Sequence, residues 1–96
     1  MKIIIDRGKY LVTKDSEEII LPKKEFEILW LLCSVPGNVF SRKQIFTKIW
    51  GNNSSAKPRT VDVHIVKLRK KFGTELIRTL KGVGYKIIIE DILVKN

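Results

Sequence analysis

The chain has 96 residues, a mass of 11.1 kDa and a formal net charge of +9. This length allows one domain with a single modest core. One cysteine and one histidine exclude an internal disulfide and leave too few ligands for a metal centre of these residues. The apolar runs are too short to cross a membrane, and the first residues lack a secretion signal. We therefore expect no catalytic site, no metal and no cofactor.

The positive charge is concentrated in one half of the chain. Residues 1–40 carry six basic and six acidic side chains, whereas residues 41–86 carry twelve basic and two acidic side chains. A merely solubilising lysine surface would spread its charge evenly along the sequence. The uneven distribution indicates a surface that binds a polyanion.

The first third of the chain predicts a small antiparallel sheet. Residues 2–6, 9–13 and 18–21 are short stretches rich in β-branched or aromatic side chains, and turn-forming residues separate them. Pro22 follows, and it suits the first turn of a helix, where its missing N–H removes no hydrogen bond.

Three helices are predicted next. Apolar residues recur at steps of three and four from residue 23 to about 35, which predicts a largely buried helix. Ser41 and Gln44 form the pattern of a capping box, so a second helix begins there and closes at Gly51. A third helix starts near Pro58 and Thr60 and ends before Gly73. Its expected core positions are Val61, Ile65, Leu68 and Phe72.

The C-terminal part predicts a β-hairpin. Residues 76–80 and 85–90 read as strands on either side of the turn-forming segment 81–84. This glycine-containing turn lacks the following helix and the lysine pattern of a phosphate-binding loop. We expect residues 93–96 to be a frayed tail.

The side of the third helix opposite its core is basic and partly apolar. A solvated face would mix lysine with glutamate and contain few β-branched residues, whereas this face has no glutamate. Lysine and arginine can reach guanine or phosphate, and valine methyls can pack against thymine methyls, so the mixture suits the major groove of DNA. The residues on this face are Arg59, Val63, Val66, Lys67 and Lys70.

Two single residues, His64 and Cys33, allow either a structural or a functional interpretation. His64 lies beside this face without a second metal ligand or a catalytic partner, so a hydrogen bond to the nucleic-acid backbone is the favoured role. Cys33 lies on an apolar helix face and is interpreted as a small core residue rather than a nucleophile.

Six segments together resemble the winged-helix effector domain of OmpR/PhoB-type bacterial response regulators. Their order and spacing make this resemblance specific, and it covers about residues 9–88. The segments are Glu25-Phe26-Glu27-Ile28-Leu29, Ser41-Arg42-Lys43-Gln44, Trp50-Gly51, Arg59-Thr60-Val61-Asp62-Val63-His64-Ile65, Leu68-Arg69-Lys70-Lys71 and Thr79-Leu80-Lys81-Gly82-Val83-Gly84-Tyr85.

The resemblance implies an α+β winged helix-turn-helix: N-terminal antiparallel strands, a three-helix bundle and a C-terminal hairpin wing. We expect a single domain over residues 1–92, with the N-terminal strands in 1–21 and the helices and wing in 22–90. It further implies that the recognition helix, 59–72, enters the major groove and that the wing, 77–88, reaches the minor groove. The expected DNA contacts are Arg42, Trp50, Arg59, Thr60, Val63, His64, Val66, Lys67, Arg69, Lys70, Thr79, Lys81 and Tyr85.

The resemblance also implies partners. The first is double-stranded DNA with a direct-repeat operator, bound by a domain that is a monomer alone and a dimer on DNA. The second is a sensor histidine kinase, which would act through a receiver domain that this chain lacks. RNA polymerase would contact the loop of Gly51, Asn52, Asn53, Ser54, Ser55, Ala56 and Lys57. The implied setting is cytoplasmic.

Three departures from the family pattern limit what is carried over. Pro22 stands where a capping threonine is usual, Val66 and Lys67 stand where basic residues are frequent, and three N-terminal strands are evident instead of four. The base sequence that the domain reads is therefore not transferred. Two alternatives stay open: a winged helix that binds an acidic protein partner, and a stand-alone regulator without a receiver domain.

Overall fold

The computed structural model describes residues 1–88 and 91–96. Within these residues, three strands, three helices and three further strands follow one another. They are β1 (Lys2–Asp6), β2 (Leu11–Lys14), β3 (Glu17–Ile19), α1 (Lys23–Ser34), α2 (Arg42–Trp50), α3 (Thr60–Phe72), β4 (Ile77–Leu80), β5 (Gly84–Ile87) and β6 (Asp91–Lys95). The expected winged helix-turn-helix architecture is confirmed.

The N-terminal sheet contains four strands in the order β3-β2-β1-β6. β1 pairs antiparallel with β2, and β2 pairs antiparallel with β3, as expected. β6 adds a parallel strand on the other side of β1, with Ile3 opposite Ile92 and Ile5 opposite Val94. The fourth strand of the sheet therefore comes from the C-terminal end of the chain.

The prediction of a frayed tail at 93–96 is wrong for residues 93–95. Ile92 and Val94 turn toward the core, whereas Leu93 remains 47% exposed on the outer face of the sheet. This alternation is the period of a half-buried strand. The sequence prediction missed it because the partner strand lies at the opposite end of the chain.

The second strand begins two residues later than predicted. Tyr10 has a φ of 50° and lies in a turn, and its ring stacks on Phe26 with centroids 4.4 Å apart. Asp15 and Ser16 also have positive φ, so they form the tight turn between β2 and β3.

The three helices pack into a bundle beneath the sheet. The capping box at α2 is present. The backbone N–H of Gln44 donates to the Ser41 hydroxyl, and the backbone N–H of Ser41 donates to the side-chain oxygen of Gln44. The predicted core positions of α3 are all buried. Cys33 is also fully buried, and burial raises the pKa of its thiol to about 12, which agrees with a core role. Among the described residues, no helix is long and apolar enough to cross a membrane.

β4 and β5 form the C-terminal hairpin, with Thr79 opposite Tyr85. A backbone bridge between Phe40 and Tyr85 joins this hairpin to the segment that leads into α2. The hairpin, which we call the wing, is therefore attached to the helical bundle beside the start of α2.

Candidate nucleic-acid interface

The outward face of α3 is basic and partly apolar. Val63 and Val66 are 53% and 50% exposed, and Lys67 and Lys70 are exposed beside them. Val61 and Ile65, on the opposite side, are fully buried and hold the helix against the bundle. The helix thus presents methyl groups and ammonium groups together on a rigid element.

Arg42, at the start of α2, is fixed by a carboxylate from α3. Its Nε donates to Asp62 Oδ1 at 3.1 Å, and its Nη2 lies 2.8 Å from Asp62 Oδ2. This two-point contact is the geometry in which guanidinium and carboxylate pair most strongly, and it raises the pKa of Arg42. The pair uses two of the five N–H donors of the guanidinium, so the others can still reach a phosphate.

Asp62 also accepts a hydrogen bond from the wing. The hydroxyl of Tyr85 donates to Asp62 Oδ1, and the Tyr85 ring is buried at 8% exposure. Burial first, and then this hydrogen bond to a carboxylate, raise the pKa of Tyr85. A single side chain of α3 therefore binds both α2 and β5.

A second contact joins α3 to the wing through Arg69. Its Nη2 donates to the Ile77 carbonyl at 2.8 Å and to the Thr79 hydroxyl at 2.6 Å, and its guanidinium lies 5.8 Å from the centre of the Tyr85 ring. With these donors engaged inside the domain, the geometry favours Arg69 as a support for the wing over Arg69 as a DNA ligand.

The wing is also held by close backbone packing at Gly84. The Phe40 and Tyr85 amides each donate to the other residue's carbonyl at 2.9 Å. A Cβ atom on Gly84 would lie 2.0 Å from the Phe40 carbonyl oxygen. Only glycine permits this approach, which sets the position of the wing beside α2.

His64 is turned toward the bundle rather than fully outward. Its ring lies 5.4 Å from that of Trp50, and its Nδ1 is buried and lies 4.0 Å from a carboxylate oxygen of Glu25. Glu25 is only 2% exposed and accepts a hydrogen bond from Lys71 at 3.1 Å. Desolvation lowers the pKa of His64, opposed by Glu25 and reinforced by Lys67 and Lys24.

Trp50 closes the same cluster from α2. Its ring stacks on Phe46 with centroids 5.3 Å apart, and the Lys24 ammonium lies 5.5 Å from its centre. The Trp50 side chain is partly exposed, so it supports His64 on one side and borders the solvent on the other.

The other sequence-predicted residues lie around this surface. Thr60 is half-buried in the first turn of α3, whereas Arg59, Thr79 and Lys81 are exposed. The loop 51–57 lies at the far end of α2 from Arg42 and is mostly exposed. The surface formed by α3, the start of α2 and the wing, which we call the basic face, thus unites most of the predicted DNA contacts.

Two acidic residues that the sequence patterns did not single out organise the basic face. Asp62 joins Arg42 and Tyr85, and Glu25 holds Lys71 and approaches His64. Asp62 did carry a signal, because it and Glu75 are the only acids among residues 41–86. An isolated acid within so much positive charge is expected to pair with a particular base.

Comparisons with known proteins agree with this geometry. The family model described as "Transcriptional regulatory protein, C terminal" matches residues 16–87. The heme response regulator HssR of Staphylococcus haemolyticus is 41% identical over 78 residues, which are 77% of this chain and 35% of that protein. The phosphate regulon transcriptional regulatory protein PhoB of Rhizobium meliloti is 40% identical over 89 residues, which are 88% of this chain and 39% of that protein.

A solved structure has the same fold. The Klebsiella pneumoniae RstA DNA-binding domain, crystallised in complex with the RstA box, superposes with a TM-score of 0.77 at 28% identity, covering 88% of this chain and 88% of that one. The chain spans only 35% and 39% of the lengths of the two curated relatives. From its sequence, its fold and its basic face, the chain belongs to the transcriptional regulatory protein C-terminal family, the winged-helix DNA-binding domains of OmpR/PhoB-type response regulators.

Proposed function

We propose that this domain reads base sequence with the outward face of α3 in the major groove and touches the adjacent minor groove with the wing. The observation that carries the proposal is the half-exposure of Val63 and Val66 beside Lys67 and Lys70. Apolar side chains exposed to water raise the free energy of the protein. Thymine methyl groups in the major groove offer these valines an apolar contact that removes them from water. The exposed Thr79 and Lys81 of the wing lie on a second element, as two-groove binding requires.

The phosphate contacts are assigned to the edge of the basic face. Arg42 lies at the N-terminus of α2, where free backbone N–H groups add to its positive charge. Arg59 is exposed at the start of α3 and faces the solvent. These groups position the domain on the duplex without reading its sequence.

Selection of binding sites from random duplex DNA tests this function. We expect a defined sequence to be enriched, and we expect pairs of sites to be direct repeats about one helical turn apart, each bound by one domain. A domain that enriches no sequence at physiological salt would contradict the proposal and would favour an acidic protein partner for the basic face.

Replacing Lys67 with alanine tests the role of α3. We expect Lys67→Ala to cost roughly 1–3 kcal/mol on the selected duplex and less on a scrambled duplex, because a base contact is lost. Lys9→Ala is the matched control, since Lys9 is an exposed lysine in the turn between β1 and β2, away from the basic face. Binding titrations on both duplexes measure the effect. Equal losses on both duplexes for Lys67→Ala would mean that α3 supplies charge only.

At the level of the whole protein, we propose a cytoplasmic transcription regulator controlled by a receiver domain and its sensor histidine kinase. The curated relatives are more than twice as long as the region they share with this chain, which supports a further domain. The isolated domain is then a monomer, and it pairs on DNA. The loop 51–57 is the proposed contact for RNA polymerase.

A further inference from the structure

We infer that Asp62 sets the sequence specificity of this domain: it positions Arg42 and Tyr85 relative to the recognition helix and opposes phosphate binding that does not fit this geometry. This inference rests on the proposed reading of DNA by α3. Asp62 is a positioning residue here, because it acts through the side chains that it holds.

The contacts of Asp62 join the three elements of the basic face. Asp62 lies in the first turn of α3, Arg42 lies at the start of α2, and Tyr85 lies on β5 of the wing. One carboxylate oxygen accepts from both Arg42 and Tyr85, and the other lies 2.8 Å from Arg42. One side chain therefore links the two groove-binding elements to the phosphate-binding arginine, in addition to the contacts that Arg69 and Gly84 make with the wing and its surroundings.

The carboxylate of Asp62 is a negative charge within a strongly basic part of the chain. It is the only acidic side chain of α3, and residues 41–86 otherwise carry twelve basic residues and Glu75. Its side chain is 34% exposed, so its negative charge is felt at the surface that meets DNA. A carboxylate at such a surface weakens binding to any duplex, whatever its sequence, because phosphates repel it.

The pairing of Arg42 with Asp62 offsets this cost only when the geometry is kept. While the pair is intact, the Asp62 carboxylate offsets the positive charge of the protonated Arg42, and the remaining N–H donors of the guanidinium are held in a fixed position. A phosphate at the matching position gains a directed hydrogen bond, whereas a phosphate elsewhere meets a neutral pair. The pair therefore favours the complex in which a phosphate lies at this position over sequence-independent electrostatic binding of the duplex.

Asp62→Asn tests this inference, because asparagine keeps the shape and an acceptor oxygen but removes the charge. We expect the affinity for a scrambled duplex to rise about threefold and the log-affinity slope against log-salt to steepen by about one, since Arg42 becomes a free cation. We expect the ratio of selected to scrambled affinity to fall by about fivefold or more, which is within the range for coupled contacts. Binding titrations at several salt concentrations measure both quantities.

Two controls separate charge from geometry. Glu18→Gln removes one negative charge from an exposed position of β3, so we expect it to leave the affinity ratio unchanged. Asp62→Glu keeps the charge but displaces the carboxylate, so we expect it to lower affinity for the selected duplex without raising affinity for the scrambled one. If Asp62→Glu kept the parent ratio of selected to scrambled affinity, the position of the carboxylate would not matter, which would contradict the inference.

Tyr85→Phe keeps the inference testable if Asp62→Asn fails to fold. It removes only the hydroxyl that donates to Asp62, and we expect the affinity ratio to fall without a change in salt slope. An unchanged ratio in Tyr85→Phe, or equal changes on both duplexes in a folded Asp62→Asn, would overturn the inference. A parent domain without any preference would overturn the proposed function as well, whereas a discriminating parent confines the failure to Asp62.

Discussion

His64 shows how one residue of the proposed recognition helix can belong partly to the core. Its ring packs near Trp50, its Nδ1 is buried without a hydrogen-bond partner, and Glu25 Oε2 is 4.0 Å away. Among the charged groups around it, Glu25 favours the protonated ring, while Lys67 and Lys24 oppose protonation. Desolvation is the largest influence, so the folded domain prefers neutral histidine.

This lowered pKa predicts how stability depends on pH. His64 takes up a proton near pH 6.5 in the unfolded chain, but only at lower pH in the folded chain. The free energy of unfolding is therefore highest above about pH 6.5 and decreases as the pH falls below that value. We expect His64→Gln to remove part of this decline. Urea unfolding at pH 7.5, 6.5 and 5.5 measures the effect. A parent domain whose stability rose on acidification would show that Glu25 outweighs burial.

At the scale of elements, the wing depends on one close backbone approach. Gly84 has a φ of 154°, and an added Cβ would meet the Phe40 backbone, whereas Gly82 has a φ of 77° with open space around it. The two glycines of the wing turn therefore differ in kind. Gly82 is required by its backbone conformation alone, and Gly84 is also required by packing.

Alanine substitutions distinguish these two roles. We expect Gly84→Ala to lower the free energy of unfolding by about 4 kcal/mol, because overpacking and a disfavoured φ add together. Gly82→Ala should cost about 1 kcal/mol, from its φ alone. Chemical unfolding measures both values. Equal effects of the two variants would mean that the wing is not held at Phe40.

β6 is the second element that depends on a distant partner. It lies outside residues 16–87, which match the family model, and so does β1, with which it pairs. Its inward residues extend the core beneath the sheet, and its outward residue Leu93 remains half-exposed.

A pair of neighbouring substitutions tests this docking. Ile92→Asn places an amide against the core, so we expect a loss of about 2–3 kcal/mol in the free energy of unfolding. Leu93→Asn changes an exposed position and should stay within about 0.5 kcal/mol of the parent. Urea unfolding gives both numbers. Two equally small effects would show that β6 does not pack on β1 in solution.

At the scale of the whole molecule, the proposed phosphate contact of Arg42 and the proposed polymerase contact of the loop 51–57 lie at opposite ends of α2. Arg42 begins this helix and the loop 51–57 follows its end, about 13 Å away at the helical rise. The loop is small and polar and carries one charged side chain, Lys57. The two tasks can therefore be separated by mutation.

Replacing Asn52 to Ser55 with glycines in the full-length regulator makes this separation measurable. We expect operator affinity to change by less than about 0.5 kcal/mol, because the substituted residues lie outside the basic face. Transcription from the same operator should fall, since the proposed polymerase contact is removed. Binding titration and a transcription assay with purified polymerase give the two readouts. A large loss of binding would place the loop in the DNA interface instead.

The features that depend on neighbouring residues are predictable from the amino-acid sequence. The three helices follow from apolar steps of three and four, the start of α2 follows from the Ser41 and Gln44 capping box, and the basic face follows from charge concentrated after residue 40. These signals are local, because a helix and its cap are set by side chains within one or two turns. The resemblance to winged-helix domains added the expected arrangement of these elements and the expected roles of the wing and of the loop 51–57.

The contacts between residues far apart in the chain are visible only in the folded structure. β6 pairs with β1 from the opposite terminus, Asp62 binds partners 20 and 23 residues away, and Glu25 binds Lys71 across 46 residues. No periodicity or spacing specifies such pairs, because they form only when separate elements pack and bring their side chains within bonding distance. For the same reason the sequence marked the basic residues of the interface but missed the two acids that hold them in place.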